Sequence, residues 1–354
     1  MNLLWLGDFY YNYNFVSDDI DEISKWIKSN NFSTILNLEG PIIDCKPNDL
    51  DKISKRGPNL FSTKESIKVL KKINTIGVSL ANNHIMDYGN TGLSKTIDIL
   101  DSNKIKHSGA GFNLDEALKP MCYNLNNKTM AVFSFGWNVE ETMYAEVNES
   151  GCAPLEESIV LNAIKIAKKS YDKVIICCHW GFEYNRYPMP FTVKMAHMFI
   201  DSGADLIIGN HPHCVQPYER YNGKLIFYSL GNFYFSSRRK RFSKKFNEKV
   251  SNQCDYGVGI ITNSELNDFK FITIKYDKIT DSSVICDNVS DILYDLSGTN
   301  FKNPKYYFLV KKSKKYINPI LTNCNFLNSL KIKGLFLIYN TKSQIKKLLK
   351  LNKY

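Results

Sequence analysis

Short apolar runs alternate with longer stretches of helical periodicity through most of the chain. Residues 3–6 read as a strand ending at Gly7-Asp8, residues 34–38 as a second ending at Glu39-Gly40-Pro41, and residues 75–81 as a third. Residues 104–108, 130–135, 173–178 and 206–209 continue the series. Between them, residues 64–72, 92–100 and 193–201 carry helical patterns. So do residues 156–169, where Ile159, Ala163, Ile166 and Ala167 share one face. An earlier helix runs through Asp21, Ile23 and Trp26 to Ile27, with Ser17 as its cap and acidic residues in its first turn. Residues 42–61 are polar and read as a loop. Asn222-Gly223 between residues 214–221 and 224–228 is a strong hairpin signal. Residues 256–262 and 269–276 form a closing antiparallel pair. Repeated strand–helix–strand units predict an α/β domain with helices covering both sheet faces.

The pattern weakens near Asp281, which divides the chain into a domain over residues 1–280 and an extension over residues 281–354. Charge sharpens that division. The net charge is +11, yet thirteen lysines lie between Lys302 and Lys353 with no acidic residue after Asp295, so the body is slightly acidic. The extension reads as a solvated basic helix or as a contact for a membrane surface or an anionic polymer. Nucleic acid is disfavoured, because no interleaving of aromatic and basic residues accompanies the lysines. An apolar fraction of 44% suits a globular core. No run reaches the ~18 apolar residues of a membrane span. The nine cysteines form no CxxC pair or disulfide framework, so a reducing cytoplasmic setting is expected, with peripheral membrane contact through the tail.

Candidate chemistry gathers at the strand ends. Four of the six histidines lie there: His84 closing SLANNH, His179 closing VIICCH, and His211 and His213 in GNHPH, a turn stiffened by Pro212. Asp8, Glu39 and Asn83 end other runs. Ligands of open α/β sheets bind outside the carboxyl ends of strands. Carboxylate and amide oxygens mixed with imidazoles suit Mn, Fe or Zn. Two such ions roughly 3.5–4 Å apart can generate hydroxide and clamp the entering and leaving oxygens of a phosphoryl transfer. Each residue also has a plain structural alternative: Asp8 and Glu39 as turn residues, Asn82-Asn83 as a helix cap, His84 as a satisfied core histidine. His107 and His197 sit in no motif and are read as structural.

In this order, NLEGPI, SLANNHIMDYG, GAG, HWGFEY, GADLIIGNHPHCVQ and YSLGNFYF resemble the CapA family of capsule and poly-γ-glutamate biosynthesis proteins, a branch of the calcineurin-like metallophosphoesterases. The resemblance covers residues 2–276. It implies a two-sheet α/β sandwich flanked by helices and a centre of two divalent ions. On this resemblance Asp8 takes the place of the first-motif aspartate and Glu39 that of the bridging carboxylate. Asn83, His179, His211 and His213 take the remaining ligand positions, with His211 and His213 on different ions. His84 would protonate the leaving oxygen or stabilise the transition state, oriented by Asp87. Glu183 and Asn232 lie in family motifs and are placed with the substrate. The basic stretch Arg238, Arg239 and Arg241 follows SLGNF and would attract an anionic substrate, either a phosphoester or an acidic polymer.

Two departures from the superfamily stand out. Phe9 and Tyr10 follow Asp8 where Asp-x-His is usual, and Glu39 replaces an aspartate, adding one methylene of reach. The expected function is therefore a metal-dependent phosphoesterase-like hydrolase in the making of capsule, poly-γ-glutamate or another anionic surface polymer. The alternative is a non-hydrolytic polymer-binding accessory of the same assembly.

Overall fold

The computed structural model describes residues 2–11, 20–44, 52–55, 57–138, 141–235, 256–277, 282–286, 293 and 295–297. Two large mixed sheets form the framework. In the eight-stranded sheet, Asn2–Tyr10 is central: it pairs in parallel with Phe32–Leu38 and Asn232–Phe235 and antiparallel with Tyr256–Thr262. Thr75–Ser79 and Lys106–Ser108 extend it on one side, Phe269–Asp277 and Ser282–Cys286 on the other. The six-stranded sheet orders Tyr218–Tyr221, Lys224–Phe227, Leu206–Asn210, Lys173–His179, Lys128–Gly136 and Met121–Leu125.

Side-chain alternation decides how these sheets stack. In the first strand Leu3 and Trp5 face the second sheet, in one core with Val132, Ile175, Ile208 and Phe227. Leu4 and Leu6 face the opposite way, in a core with Ile23 and Ile27 of helix Asp21–Ser29, Leu70 of helix Ser66–Lys72 and Leu93 of helix Gly89–Ser102. The second sheet repeats the arrangement: Ile175 and Cys177 point inward, while Val174, Ile176 and Cys178 meet helices Glu157–Ala167 and Pro190–Asp201. The result is helix, sheet, sheet, helix. Periodicity alone predicts helices on both faces of one sheet; instead each sheet has helices on one face and its neighbour on the other. Both arrangements bury a strand on two sides and so give the same unbroken apolar run.

The local differences have physical reasons. The first strand does not stop at Gly7 but runs through Asp8, with a register shift against Phe32–Leu38 between Trp5 and Asp8. Three residues advance on one strand and two on its neighbour, a β-bulge that reverses the alternation. Asp8 thereby pairs with Asn37, on the face shared by Trp5 and Ile35, while Phe9 returns to the helix-covered side. Helix Glu157–Ala167 buries Val160, Ile164 and Ala167, and Ile166 is 57% exposed. Of the expected stripe, Ala167 is buried and Ile159 and Ala163 are half-buried against the same core, while Ile166 points outward; apolar residues lie nearly all round this helix, so its periodicity does not fix the centre of the buried face. Helix Asp21–Ser29 begins after Ile20 with no side-chain cap, and Ser17 lies outside the described residues. The hairpin forms as read, with Asn222 and Gly223 at φ 47° and 73°. Both signs suit the turn that matches strand twist. Among the described residues no helix is long and apolar enough to cross a membrane.

Candidate metal centre

Strand ends of both sheets converge on one buried group of polar side chains. Asp8 is fixed from three directions. Its amide donates to Gly231 O at 3.0 Å, Asn37 Nδ2 donates to Oδ1 at 2.8 Å, and the His211 amide donates to Oδ2 at 3.2 Å. Gly7 permits that approach, since a Cβ there would lie 1.9 Å from Gly231 O.

Asp8, Glu39 and His213 present one ligand atom each, all within 4.8 Å of one another, and all three residues are fully buried. His213 Nδ1 lies 3.3 Å from Asp8 Oδ2 and 2.8 Å from Asn232 Oδ1. Its Nε2 lies 3.3 Å from Glu39 Oε1 and 3.8 Å from Glu183 Oε1. Among the described residues, neither Glu39 oxygen has a hydrogen bond. A buried carboxylate left without a hydrogen bond is costly, and a divalent cation offsets that cost. The donor set fits a metal ion, and this group could hold one. Beside it, His179 Nε2 lies 2.9 Å from Asn83 Oδ1 and 3.1 Å from His211 Nδ1, so two imidazoles and an amide oxygen converge on a second point.

The turn carrying the histidines is built for this. His211 and His213 adopt φ of 93° and 54°, a left-handed backbone that non-glycine residues occupy at a cost. Gly209 just before them leaves no room for a side chain: a Cβ would meet Tyr228 O at 2.0 Å and Trp180 Nε1 at 2.6 Å.

Electrostatics separate the two carboxylates. Burial and then the neighbouring Glu39 charge push the Asp8 carboxyl up. Burial also acts to raise Glu39, but the neighbouring His213 imidazole outweighs it and holds the Glu39 carboxyl well below the usual range. Burial, reinforced by His211, drives His179 well below the ordinary imidazole value. Its neutral form, the one with a free lone pair, is therefore favoured.

His84 faces the centre from a third side, its Nε2 3.9 Å from Glu39 Oε1. Its Nδ1 lies 2.7 Å from Asp87 Oδ2. Lys55 Nζ reaches the same place: 2.9 Å from His84 Nδ1, 3.3 Å from Asn83 O, and in contact with Asp87 Oδ1. Asp87 also accepts from the Leu60 amide at 2.6 Å, and its carbonyl accepts from the Ile53 amide and Asn59 Nδ2.

The structure thus brings together Asp8, Glu39, Asn83, His84, Asp87, His179, Glu183, His211, His213 and Asn232. Arg238, Arg239 and Arg241 lie outside the described residues, as does nearly all of the lysine-rich extension. His197 and His107 sit elsewhere, against Glu219 and Asp101 respectively. Two contributors escaped the sequence reading, Asn37 and Lys55, and Asn82 enters it only as a cap. Asn82 accepts from the Gly40 and His84 amides and donates to Leu38 O. Asn37 stands two residues before Glu39, so strand alternation was a usable signal for it. Lys55 lies in a polar stretch with no local pattern to mark it.

Residues 10–237 match the family described as "Bacterial capsule synthesis protein PGA_cap", and the chain belongs to that family. It is 40% identical over 178 residues to the PGA biosynthesis protein CapA of Bacillus subtilis (strain 168), covering 50% of this chain and 47% of that protein. It is 30% identical over 217 residues to the capsule biosynthesis protein CapA of Bacillus anthracis, covering 60% and 52%. The chain thus spans about half the length of these curated relatives. Among solved structures it is similar to a putative 5'-nucleotidase from Staphylococcus aureus, at 12% identity and a TM-score of 0.45 over 89% of this chain and 58% of that one.

Proposed function

We propose that the chain is a metal-dependent phosphoester hydrolase of the calcineurin-like type, acting in the making of poly-γ-glutamate or another anionic surface polymer. The observation that carries this reading is Glu39, fully buried and, among the described residues, without a hydrogen bond on either oxygen, facing His213 at 3.3 Å and His84 at 3.9 Å. Asp8, Glu39 and His213 would hold one ion. Asn83, His179 and His211 would hold a second. Bound divalent ions would supply Lewis-acid polarisation of a phosphoryl group and neutralise its charge.

The chain's own residues do the rest. His84 offers a proton at Nε2 to a departing oxygen, while Asp87 and Lys55 hold the ring from its Nδ1 side. Asn37 and the His211 amide keep the Asp8 carboxylate aimed, and burial of the whole group excludes bulk water. The basic segment at Arg238, Arg239 and Arg241 would draw an anionic substrate toward the centre.

The test is hydrolysis of a panel of phosphomonoesters and phosphodiesters by the purified, metal-loaded chain, with His84→Ala and His211→Ala alongside. Activity that falls at least about a hundredfold in both variants is expected, as for loss of a general acid or a metal ligand. Metal-bound protein that cleaves no member of the panel overturns the hydrolase reading and favours a non-hydrolytic, polymer-binding accessory role.

A further inference from the structure

The group formed by Asp8, Glu39 and His213 supplies three donors, whereas divalent ions of the Zn and Mn class take four or more ligands. A fourth protein donor stands beside it. Glu183 Oε1 lies 3.8 Å from the same His213 Nε2 that Glu39 Oε1 approaches at 3.3 Å. Donors bound at about 2.0–2.2 Å to one ion sit about 3.3–3.6 Å apart in tetrahedral geometry and about 2.8–3.1 Å apart in octahedral geometry. The Glu39 separation matches the tetrahedral edge, and the Glu183 carboxylate stands just beyond it, within reach of a small side-chain rotation.

The backbone around Glu183 is built to hold it there. Gly181 at φ 84° and Tyr184 at φ 60° fold residues 181–185 into a turn docked on the histidine turn. The Tyr184 amide donates to Pro212 O at 2.7 Å, and Gln216 Nε2 donates to Asn185 O at 2.6 Å. The Glu183 side chain is only 5% exposed. Tyr10, two residues after Asp8, packs its ring on Phe235, with centroids 5.0 Å apart.

We infer that Glu183 is the fourth protein ligand of the ion held by Asp8, Glu39 and His213, rather than a substrate contact. The inference rests on the metal reading of that group.

The test is ion binding and needs no substrate. The full chain, stripped with a chelator, is titrated with Mn²⁺ and with Zn²⁺ by calorimetry, and bound ions are counted by mass spectrometry. Thermal melts of the metal-free proteins report folding. Glu183→Gln is expected to lose one ion or weaken its binding by about tenfold or more, with its metal-free melt unchanged. Glu183→Asp, which keeps the charge one methylene shorter, is expected to fall between. Glu183→Gln that binds with wild-type count and affinity overturns the inference alone. Should Glu183→Gln melt early, Glu183→Asp decides, and wild-type affinity there has the same force. A wild-type chain that takes up neither ion overturns the metal reading and this inference with it.

Discussion

Lys55 places its ammonium 2.9 Å from His84 Nδ1, in a position where it also contacts the Asp87 carboxylate. Both the lysine and aspartate side chains are almost completely buried. A buried pair broken on one side leaves an uncompensated charge, which costs about 3–5 kcal/mol. Lys55→Met and Asp87→Asn should each destabilise the chain by about that much in urea unfolding. The double variant should fall short of the sum by 1 kcal/mol or more, since the groups share one network. Additive losses would mean that the two side chains are not coupled.

Ion binding should be visible as stability. A ligand held only by the folded state adds about 2.7 kcal/mol at a hundred times its Kd. Mn²⁺ or Zn²⁺ should therefore raise the melting temperature, a chelator should reverse the rise, and Glu39→Gln should abolish most of it. A Glu39→Gln protein with the full metal-dependent rise would remove Glu39 from the ligand set.

Asp205 lies away from the centre and predicts a pH dependence. It accepts from Lys224 Nζ at 2.7 Å, Lys168 Nζ at 3.0 Å and the Val174 amide at 2.9 Å. Burial works to raise its pKa, but these donors outweigh burial and leave it below the ordinary value of 3.8. A carboxyl depressed by folding adds stability above its unfolded pKa and loses that contribution as pH falls through the folded value. Wild type should exceed Asp205→Asn by about 1–3 kcal/mol near neutrality, and the gap should close on acidification below about pH 4. A gap independent of pH would exclude the carboxylate charge as its cause.

Gly209→Ala tests the histidine turn. The new methyl would overlap the Tyr228 carbonyl, which is backbone and cannot swing aside. A loss of about 3 kcal/mol or more is expected, in line with severe overpacking, together with weaker ion binding through displaced His211 and His213. Wild-type stability would show that the turn has slack.

Much of the centre was legible because strand ends are marked by local composition. Asp8, Glu39, His179, His211 and His213 each follow an apolar run, and the structure brings them together. Asn222-Gly223 was legible because only a few residue types accept positive φ in succession. Local pattern failed where packing made the choice. Ile166 and Val160 occupy equally apolar helix positions, and only the facing sheet selects Val160 for burial. The second sheet is a non-local pairing that an apolar run cannot reveal. Lys55 enters through a contact 32 residues away along the chain, in a stretch whose composition reads as solvent-facing loop.

The bulge between Trp5 and Asp8 gives the first strand something like a reading frame. Deleting one residue there would change no chemistry in the remaining sequence, yet it would exchange the faces of Asp8 and Phe9. A benzene ring would then stand among Asn37, Glu39 and His213, and a carboxylate would be driven into the apolar layer beneath helix Gly89–Ser102. The identity of the aspartate is therefore only half of what the centre requires. The other half is a count of residues, and length changes in this short segment should be tolerated less well than most substitutions within it.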